Sequence, residues 1–289
     1  MKRILLTGSN GQLGYSCKED LSEKFDLICT SRSRSKGTLQ LDIFDRNAVS
    51  NTLKKFQPDV VINLSAFTDV NGCEKDPHLA NKINFEGVKN ICDNFDGHLI
   101  HISSDYVFDG KDGPYDESST TNPISVYGAS KLKADEYIIK NKSHYTILRA
   151  NVLYDYHKKT NASFLKWVIE SLQQNKAIKV VNDQWNNPTW TRNFSNVILK
   201  IIKKQGHGLL NYADNGIMTR YDFALKIANI FDLDTNLIEQ IKTKELKQEA
   251  KRPMKSGLIT KKIENNFNIK PVSVDLSLRS LKKLVFDKK

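Results

Sequence analysis

Three glycines near the start of the chain constrain its fold more than any other feature. Gly8, Gly11 and Gly14 follow an apolar run at residues 3–7, and residues 11–22 then carry apolar side chains at helical spacing. Glycine permits positive φ and close backbone approach, and a helix beginning here offers free N–H groups to an anion. A glycine triplet alone is weak evidence, but this one lies between a predicted buried strand and a predicted helix. We therefore expect a dinucleotide pyrophosphate at this turn, contacted by Gly8, Asn10, Gly11, Gln12, Leu13 and Gly14.

Strands and helices alternate through the first half of the sequence. Short apolar runs predict strands at 3–7, 26–30, 59–63, 98–104 and 145–151. Helical spacing predicts helices near 11–22, 45–56, 77–94 and 123–141, the last opened by Pro123. Near-continuous apolar strands in such an alternation are typical of a parallel sheet covered by helices on both faces. The predicted fold class is α/β, with a Rossmann-type doubly wound parallel sheet.

The pattern becomes less regular beyond about residue 152. We expect helices near 161–174, 191–204, 219–231 and 276–286, and short strands near 178–181 and 208–212. The pattern of helices and short strands in this half predicts a smaller C-terminal α/β substrate-binding lobe. The expected division is an NAD(P)-binding Rossmann domain at 1–152, with returning segments near 160–182 and 191–212, and a mainly substrate-binding lobe at 153–289.

Composition argues against several classes of protein. No apolar stretch approaches the roughly 18 residues needed to cross a bilayer, and Gly and Asn interrupt the first apolar run too early for a secretion signal. The four cysteines, Cys17, Cys29, Cys73 and Cys92, lack metal-site spacing and fit reduced thiols in a cytoplasm. The net charge of +11 comes from lysines and arginines that are scattered rather than clustered in a basic patch. We expect a cytoplasmic protein that binds neither nucleic acid nor membrane.

The residues after the second strand indicate which dinucleotide binds. An acidic side chain there usually binds the free 2′-hydroxyl of NADH, but this sequence has Ser31, Arg32, Ser33 and Arg34. A guanidinium suits a 2′-phosphate better. We therefore expect NADPH, with Arg32 as its main contact and Ser31 beside it. NADH is the alternative, and the same residues would also suit a basic exposed loop.

Tyr127 and Lys131 lie four residues apart on a predicted helix, so both side chains project from one face. A phenol is a poor acid or base at neutral pH, and a nearby ammonium would lower its pKa. We expect Lys131 to tune Tyr127 in this way. Tyr154 and Lys158 repeat the spacing in a polar segment without a partner motif, and we assign Tyr154 to structure or to the cleft wall.

Two serines end the predicted strand at 98–104. Ser103 and Ser104 lie at the carboxyl edge of the sheet, where open α/β sheets bind their ligands. A serine hydroxyl at this edge can bind a carbonyl oxygen, although such serines often only cap helices or turns. We expect Ser104 to act in catalysis.

These features resemble the extended short-chain dehydrogenase/reductase superfamily, and within it the dTDP-4-dehydrorhamnose reductases. The resemblance covers nearly the whole chain and rests on several long motifs in the correct order. They are SAFTDVNGCEKDP at 65–77, SSDYVFDG at 103–110, NPISVYGASKLKAD at 122–135, DQWNNPTWT at 183–191 and KRPMKSGLITKKI at 251–263.

The resemblance implies NAD(P)H-dependent reduction of the C4 ketone of a nucleotide-linked 4-keto-6-deoxyhexose, for the synthesis of a surface-polysaccharide sugar such as rhamnose. It implies that Tyr127 donates a proton to the developing alkoxide, that Ser104 hydrogen-bonds this oxygen, and that Lys131 also holds the nicotinamide ribose.

The resemblance also implies roles for residues beside the catalytic group. Ser65, Ala66 and Thr68 are expected to line the cofactor cleft, and Asp42 with Ile43 to border the adenine. Aromatic and amide side chains are expected to hold the sugar and its base. These expected substrate contacts are Tyr106, Phe108, Asn151, Gln184, Pro188 and Trp190, although Trp190 would also suit a core position.

Departures from the family pattern limit what the resemblance implies. Some members bind magnesium at a dimer contact through an acidic residue just after the glycine-rich turn, where this chain has Tyr15 and Ser16. We therefore expect no metal, and a homodimer remains open. The segment DQWNNPT also lacks a glycine common in the family, which leaves the shape of the substrate pocket open.

Two alternative functions remain open. One is a bifunctional epimerase/reductase, but such enzymes often carry a cysteine shortly after the strand-end serine, where this chain has Asp105 and Tyr106; Cys73 is poorly placed to replace it. The other is a non-catalytic NADP-binding regulatory subunit resembling the beta subunit of methionine adenosyltransferase. The intact Ser104, Tyr127 and Lys131 argue against that second alternative.

Overall fold

The structure is a computed structural model that describes residues 1–157, 160 and 163–286. Its strands within these residues are β1 (Arg3–Thr7), β2 (Asp26–Ser31), β3 (Leu39–Gln40), β4 (Val60–Asn63), β5 (His98–Ser104), β6 (Tyr145–Ala150), β7 (Leu153–Tyr154), β8 (Ile178–Val181), β9 (Trp185–Asn186), β10 (Thr189–Trp190), β11 (Gly208–Tyr212), β12 (Met218–Thr219) and β13 (Ile238–Ile241). Its helices are α1 (Gln12–Leu21), α2 (Arg46–Phe56), α3 (Val70–Lys75), α4 (Pro77–Asn81), α5 (Gly87–Asn94), α6 (Val126–Asn141), α7 (Phe164–Gln173), α8 (Thr191–Lys204), α9 (Arg220–Ile230), α10 (Lys261–Phe267) and α11 (Val274–Val285).

A seven-stranded sheet forms the centre of the molecule, in the order β11-β6-β5-β4-β1-β2-β3. Every neighbouring pair in it is parallel. The order reverses at β1, so β1 and β4 meet at the point where open α/β sheets bind ligands, beyond the carboxyl ends of their strands. The predicted Rossmann-type doubly wound sheet is therefore confirmed.

Successive side chains of the central strands face opposite sides of the sheet, as β geometry requires. On one side, Ile4 and Leu6 pack in a core with α1, α8 and α10. On the other side, Leu5 packs in a second core with α2, α5 and α6. Burial on both faces explains why these strands are nearly continuous apolar runs rather than alternating ones.

The second half of the chain builds a separate apolar core. It contains α7, α9 and α11 together with β8, which pairs with β13 in a small parallel sheet. The segment 160–182 gives α7 and β8 to this core. Within the segment 191–212, α8 packs against α1 and β11 pairs with β6. The division at residue 152, with its returning segments, stays a prediction.

Most predicted elements are present within a few residues of their expected ends. The helix expected at 123–141 begins only at Val126, because Ser125 is extended and its side chain accepts a hydrogen bond from the amide of Gly128. The helix expected at 77–94 is α4 and α5 joined by a π-helical turn at Lys82–Glu86. Residues 161 and 162 of another expected helix lie outside the described residues.

Among the described residues, no helix combines the length and the apolar character that crossing a membrane requires.

Candidate active site

The glycine-rich turn is packed so tightly that its glycines have little room for side chains. Gly8 has φ +63°, and a Cβ there would lie 2.8 Å from the backbone carbon of Leu64. A Cβ on Gly14 would lie 2.5 Å from the carbonyl carbon and oxygen of Ser9. Gly11 is the N-cap of α1 and offers no side-chain cap to its amides. The first turn of α1 therefore keeps N–H groups available for an anion, as a dinucleotide pyrophosphate requires.

The other predicted residues of this turn face the protein. Asn10 donates from Nδ2 to the hydroxyls of Ser31 and Ser35, both at 2.9 Å, and so ties the turn to the loop after β2. Gln12 donates to the carbonyl of Leu153 at 3.0 Å, and Leu13 is buried in the core beside α8. These contacts leave the backbone of Gln12 and Leu13, rather than their side chains, for any cofactor contact.

The remaining predicted cofactor residues surround the carboxyl edge of the sheet. Arg32 is exposed in the loop after β2, and Asp42 is partly buried next to the buried Ile43. Ser65 and Ala66 follow β4 and are partly buried, whereas Thr68 is exposed. The amide of Ser65 donates to Asn63 Oδ1 at 3.3 Å, which fixes the start of this loop against β4. The role in cofactor binding of the six residues Arg32, Asp42, Ile43, Ser65, Ala66 and Thr68 stays a prediction.

Ser104 and Tyr127 meet where β5 ends and α6 begins. Ser104 Oγ donates to Asp105 Oδ1 at 3.0 Å and accepts from the amide of Tyr106 at 3.2 Å, and its hydroxyl lies close enough to Tyr127 to affect the pKa of the phenol. The ring of Tyr106 packs edge-on against that of Tyr127, with centroids 5.5 Å apart. Burial raises the pKa of Asp105 to about 6, against the opposing effect of its hydrogen bonds with Ser256 and Ser104. The structure thus brings an acidic group, a hydroxyl and a phenol into one buried cluster.

The pKa of the Tyr127 phenol is raised, whereas the sequence led us to expect that Lys131 lowers it. Burial raises this pKa well above the usual value, the nearby hydroxyl of Ser104 opposes this effect, and the negative charge of Asp105 adds to it. Lys131 does not lower this pKa here, because its Nζ donates to the carbonyl of Ile102 at 2.6 Å and lies 3.0 Å from His101 Nε2. The expected tuning of Tyr127 by Lys131 is therefore not seen in this geometry. The Lys131 amino group is directed instead to the backbone carbonyl of Ile102 on β5.

Lys131 is itself perturbed. Its side chain is almost fully buried, and burial lowers its pKa to about 8, while the carboxylate of Asp135 opposes this shift. Asp135 is held by Arg149, with Nε 3.5 Å from Oδ2, and by the hydroxyl of Ser103 at 2.8 Å. Ser103 therefore supports the charged network behind the site.

The predicted substrate residues divide into two groups. Tyr106 and Gln184 line one open cavity of about 500 Å³. Phe108 stacks on Tyr115 in the core, and Asn151 donates to the carbonyl of Ser256 at 2.7 Å. Pro188 and Trp190 are buried as well. These four residues support the pocket from behind and do not line this cavity. Their role as substrate contacts stays a prediction.

Trp190 and Tyr154 both lie in the apolar core formed by α7, α9 and α11. Trp190 donates from Nε1 to Asp155 at 3.3 Å, and Tyr154 packs against Phe223. Lys158, which repeats the spacing of Lys131, lies outside the described residues. The structural assignment of Tyr154 agrees with this position.

Two arginines in the same cavity escaped the sequence reasoning. Arg252 donates to Asn71 Oδ1 at 3.0 Å and to Gln248 at 3.3 Å, while its buried Nη1 has no hydrogen-bond partner. Arg220 lies over the ring of Phe164, 5.3 Å from its centroid. Neither guanidinium has a carboxylate within ion-pair distance among the described residues. The KRPMKSG motif contains Arg252, but no local pattern marks Arg220.

Cys73 lies closer to the site than its sequence position suggests. It belongs to a small apolar cluster with Tyr127 and Ala80, and its thiol donates to the carbonyl of Phe67 at 3.5 Å. Burial raises the pKa of this thiol to about 11. A thiol that stays protonated at neutral pH is a poor base, so its proximity lends little support to an epimerase.

A metal site has no evident ligand set in the described residues, where no group of three His, Cys, Asp or Glu side chains converges. The expectation that the protein binds no metal stays a prediction.

Comparison with known proteins places these features in context. The family described as RmlD substrate binding domain matches residues 1–285. A dTDP-4-dehydrorhamnose reductase from Clostridium acetobutylicum is 33% identical, with a TM-score of 0.90 over 98% of this chain and 99% of that chain. The dTDP-4-dehydrorhamnose reductase of Bacillus anthracis, solved in complex with NADP, is 29% identical, with a TM-score of 0.89 over 97% and 99%. A probable low-salt glycan biosynthesis reductase of Haloferax volcanii is 30% identical over 287 residues, or 96% of each chain.

Proposed function

Because this chain belongs to the RmlD substrate binding domain family, we propose that it reduces the C4 ketone of a nucleotide-linked 4-keto-6-deoxyhexose with NADPH. The resemblance to dTDP-4-dehydrorhamnose reductases expected from the sequence is confirmed by this membership. The observation that carries the proposal is the buried cluster of Ser104, Asp105 and Tyr127 at the carboxyl edge of the sheet, the same edge at which α1 begins with open amides.

NADPH, when bound, supplies the hydride for C4. Tyr127 stays protonated at neutral pH because its pKa is raised, so it can give its proton to the alkoxide that forms. Ser104 lies between Asp105 and the Tyr127 hydroxyl and can turn its own hydroxyl toward the same oxygen. The apolar cluster around Tyr127 excludes water from the reacting oxygen.

The cavity next to Tyr106 suits a nucleotide diphosphate. In the part of the chain that the structure describes, Arg220 and Arg252 provide two guanidiniums without a carboxylate within ion-pair distance, and Lys179, which pairs with Glu239 at 3.4 Å, also lines the cavity. Trp167 is partly exposed and offers an aromatic face on which a base can stack. We infer that the arginines bind the diphosphate and Trp167 holds the base, which leaves the sugar beside Tyr127.

Arg252→Gln should raise KM for the nucleotide sugar about tenfold or more and change kcat little, because a charge-assisted phosphate bond contributes roughly 1.5–3 kcal/mol in both ground and transition states. Steady-state kinetics with saturating NADPH measure this split. Arg279→Gln, at an exposed arginine of α11, is the matched control. An unchanged KM in the Arg252 variant contradicts diphosphate binding at this residue.

Arg32→Asp should reverse the cofactor preference by tenfold or more in the ratio of kcat/KM for NADPH to that for NADH, because the carboxylate repels a 2′-phosphate and can accept from a free 2′-hydroxyl. Arg34→Asp changes the same charge two residues away, in the same exposed loop, and should have a much smaller effect. Equal effects of the two variants would indicate a general charge effect of the loop rather than a contact of Arg32.

The function is tested by following NADPH oxidation with a dTDP-4-keto-6-deoxyhexose, with and without a separate 3,5-epimerase. With NADPH deuterated at the transferred position, we expect deuterium at C4 of the product only when the epimerase is present. Turnover without the epimerase favours the bifunctional alternative. NADPH binding without turnover in either mixture favours the regulatory-subunit alternative.

We propose that the reaction takes place in the cytoplasm. The four cysteines are all unpaired thiols, which agrees with a reducing compartment. A homodimer is compatible with this function but is not required by it.

A further inference from the structure

Four buried polar side chains form a chain of contacts behind the active site, from the end of β1 to α6. Thr7 Oγ1 donates to Asn63 Oδ1 at 2.6 Å, Asn63 Nδ2 lies 3.1 Å from His101 Nδ1, and His101 Nε2 lies 3.0 Å from Lys131 Nζ. Each of the four side chains is at most 1% exposed. Only Lys131 belongs to the catalytic group expected from the sequence, so the other three are so far without a role.

The orientation of the Asn63 amide fixes the proton on His101. The Ser65 amide, which can only donate, lies 3.3 Å from one side of Asn63 and 3.4 Å from Thr7 Oγ1, and the Thr7 hydroxyl lies 2.6 Å from the same side, so we assign the Asn63 oxygen to that side. Its Nδ2 then faces His101 and donates to Nδ1. Burial and the nearby Lys131 hold the pKa of His101 well below its ordinary value, so the ring is neutral. A neutral imidazole whose Nδ1 accepts carries its proton on Nε2.

The Nε2–H group of His101 therefore points at Lys131 Nζ. An ammonium has only donors, so it cannot accept this hydrogen, whereas a neutral amine accepts it through its lone pair. The Ile102 carbonyl accepts an N–H of Lys131 in either state. The other charged groups facing Lys131 are Asp135 on α6 and its partner Arg149 on β6, and the Asp135 carboxylate favours the ammonium. His101 and Asp135 thus act on Lys131 in opposite directions.

We propose that His101 is a positioning residue for the ketone reduction, whose tautomer, fixed by Thr7 and Asn63, favours the neutral amine of Lys131. The expected effect on catalysis rests on the proposed function, whereas the expected tautomer of His101 does not. Because Asn63 also holds the amide of Ser65, the same chain of contacts joins the protonation state of Lys131 to the loop after β4.

The first test needs no substrate. Two-bond 1H–15N NMR of the imidazole rings of the wild-type protein distinguishes the two neutral tautomers of His101. At pH 10, where Lys131 with its pKa of about 8 is a neutral amine, we expect a proton on Nε2 and none on Nδ1. A proton on Nδ1 would overturn the proposal, because Nε2 would then accept from Lys131 rather than donate to it. This outcome does not depend on whether the protein reduces a keto-sugar.

The second test replaces the histidine. In His101→Gln the side-chain oxygen can accept from the ammonium, so the pKa of Lys131, about 8 in the wild type, should rise by about one unit, a tenfold gain in proton affinity. Lysine 13C NMR measures this titration. If the ammonium is the active form, the alkaline fall of kcat/KM moves to higher pH by the same amount. A purely structural role would lower kcat/KM at every pH without moving the profile.

His98→Gln is the matched control. His98 lies on the same strand, is buried, and contacts Thr146 rather than Lys131. It should leave the Lys131 titration unchanged. If His101→Gln does not fold, Asn63→Asp gives the second variant, because a carboxylate oxygen facing Nδ1 selects the opposite tautomer and should also raise the Lys131 pKa. An unmoved Lys131 titration in a folded variant at either position overturns the proposal.

Discussion

Tyr127→Phe is expected to lower kcat for NADPH-dependent ketone reduction at least a hundredfold. The variant removes the group that protonates the alkoxide, and general acid catalysis typically contributes about 10²–10⁴-fold. The phenyl ring keeps the packing against Tyr106, Cys73 and Ala80, so the fold and the pocket should persist. Single-turnover reduction under saturating NADPH measures the chemical step separately from product release.

The chain contains a matched control for this variant. Tyr154 is also buried and also begins a Y-x-x-x-K sequence, but its ring packs in the apolar core formed by α7, α9 and α11. Tyr154→Phe should leave kcat within about threefold of wild type, since this core does not contain the cluster around Tyr127. A loss of less than tenfold in Tyr127→Phe would assign the proton donor to another group, with Asp105 as the nearest titratable side chain.

Because the pKa of Tyr127 is high, the titration of Tyr127 does not explain a loss of activity at moderately alkaline pH. A phenol raised above its ordinary value stays protonated through neutral and moderately alkaline pH, so the donor is present throughout. Lys131, with a pKa of about 8, loses its proton in that range as the pH rises. An alkaline fall near pH 8 is therefore assigned to Lys131 rather than to Tyr127.

The sheet and its helices could be predicted from the sequence because burial on both faces leaves continuous apolar runs. The strand at 98–104 is an example, since six of its seven residues are buried and the run ends at the serines of the site. The two-residue strands β7, β9, β10 and β12 could not be predicted, because such short pairings follow from tertiary packing rather than from local periodicity. The same holds for β13, which exists only as the partner of β8.

The candidate site was predictable where chemistry is local and not where it depends on contacts distant in sequence. Spacing placed Tyr127 and Lys131 on one helix, but the direction of Lys131 depends on His101, thirty residues away. Arg220 and Arg252 reach one cavity from separate segments of the second half. The sequence reasoning chose Phe108 and Trp190 for their aromatic rings, but the structure buries both in cores.

Gly14→Ala is expected to weaken NADPH binding at least tenfold and to destabilise the ligand-free protein. The new Cβ would lie 2.5 Å from the carbonyl carbon and oxygen of Ser9 and 2.7 Å from the carbonyl oxygen of Gly8. All three are backbone atoms, so α1 must move away from the turn to make room. Overpacking of this kind costs about 1–3 kcal/mol, which corresponds to a loss of about 2–10 °C in Tm.

Gly11→Ala separates these two effects. A Cβ on Gly11 would meet only the Gly8 carbonyl oxygen, at 3.2 Å, and the residue has an ordinary φ of −77°. The ligand-free Tm should therefore fall much less than in Gly14→Ala. If the pyrophosphate approaches the backbone at Gly11, the added methyl group should still weaken NADPH binding. Thermal melts with and without NADPH, together with titration calorimetry, measure both quantities for each variant.

The pattern across the two variants identifies what each glycine does. A large loss of stability in Gly14→Ala with a small one in Gly11→Ala means that Gly14 allows α1 to pack on the turn, while loss of NADPH affinity in both means that the turn holds the cofactor. If Gly11→Ala binds NADPH as tightly as wild type does, the pyrophosphate does not approach this backbone. The open amides at the start of α1 would then serve another anion, and the cofactor would have to be held chiefly by the loops after β2 and β4.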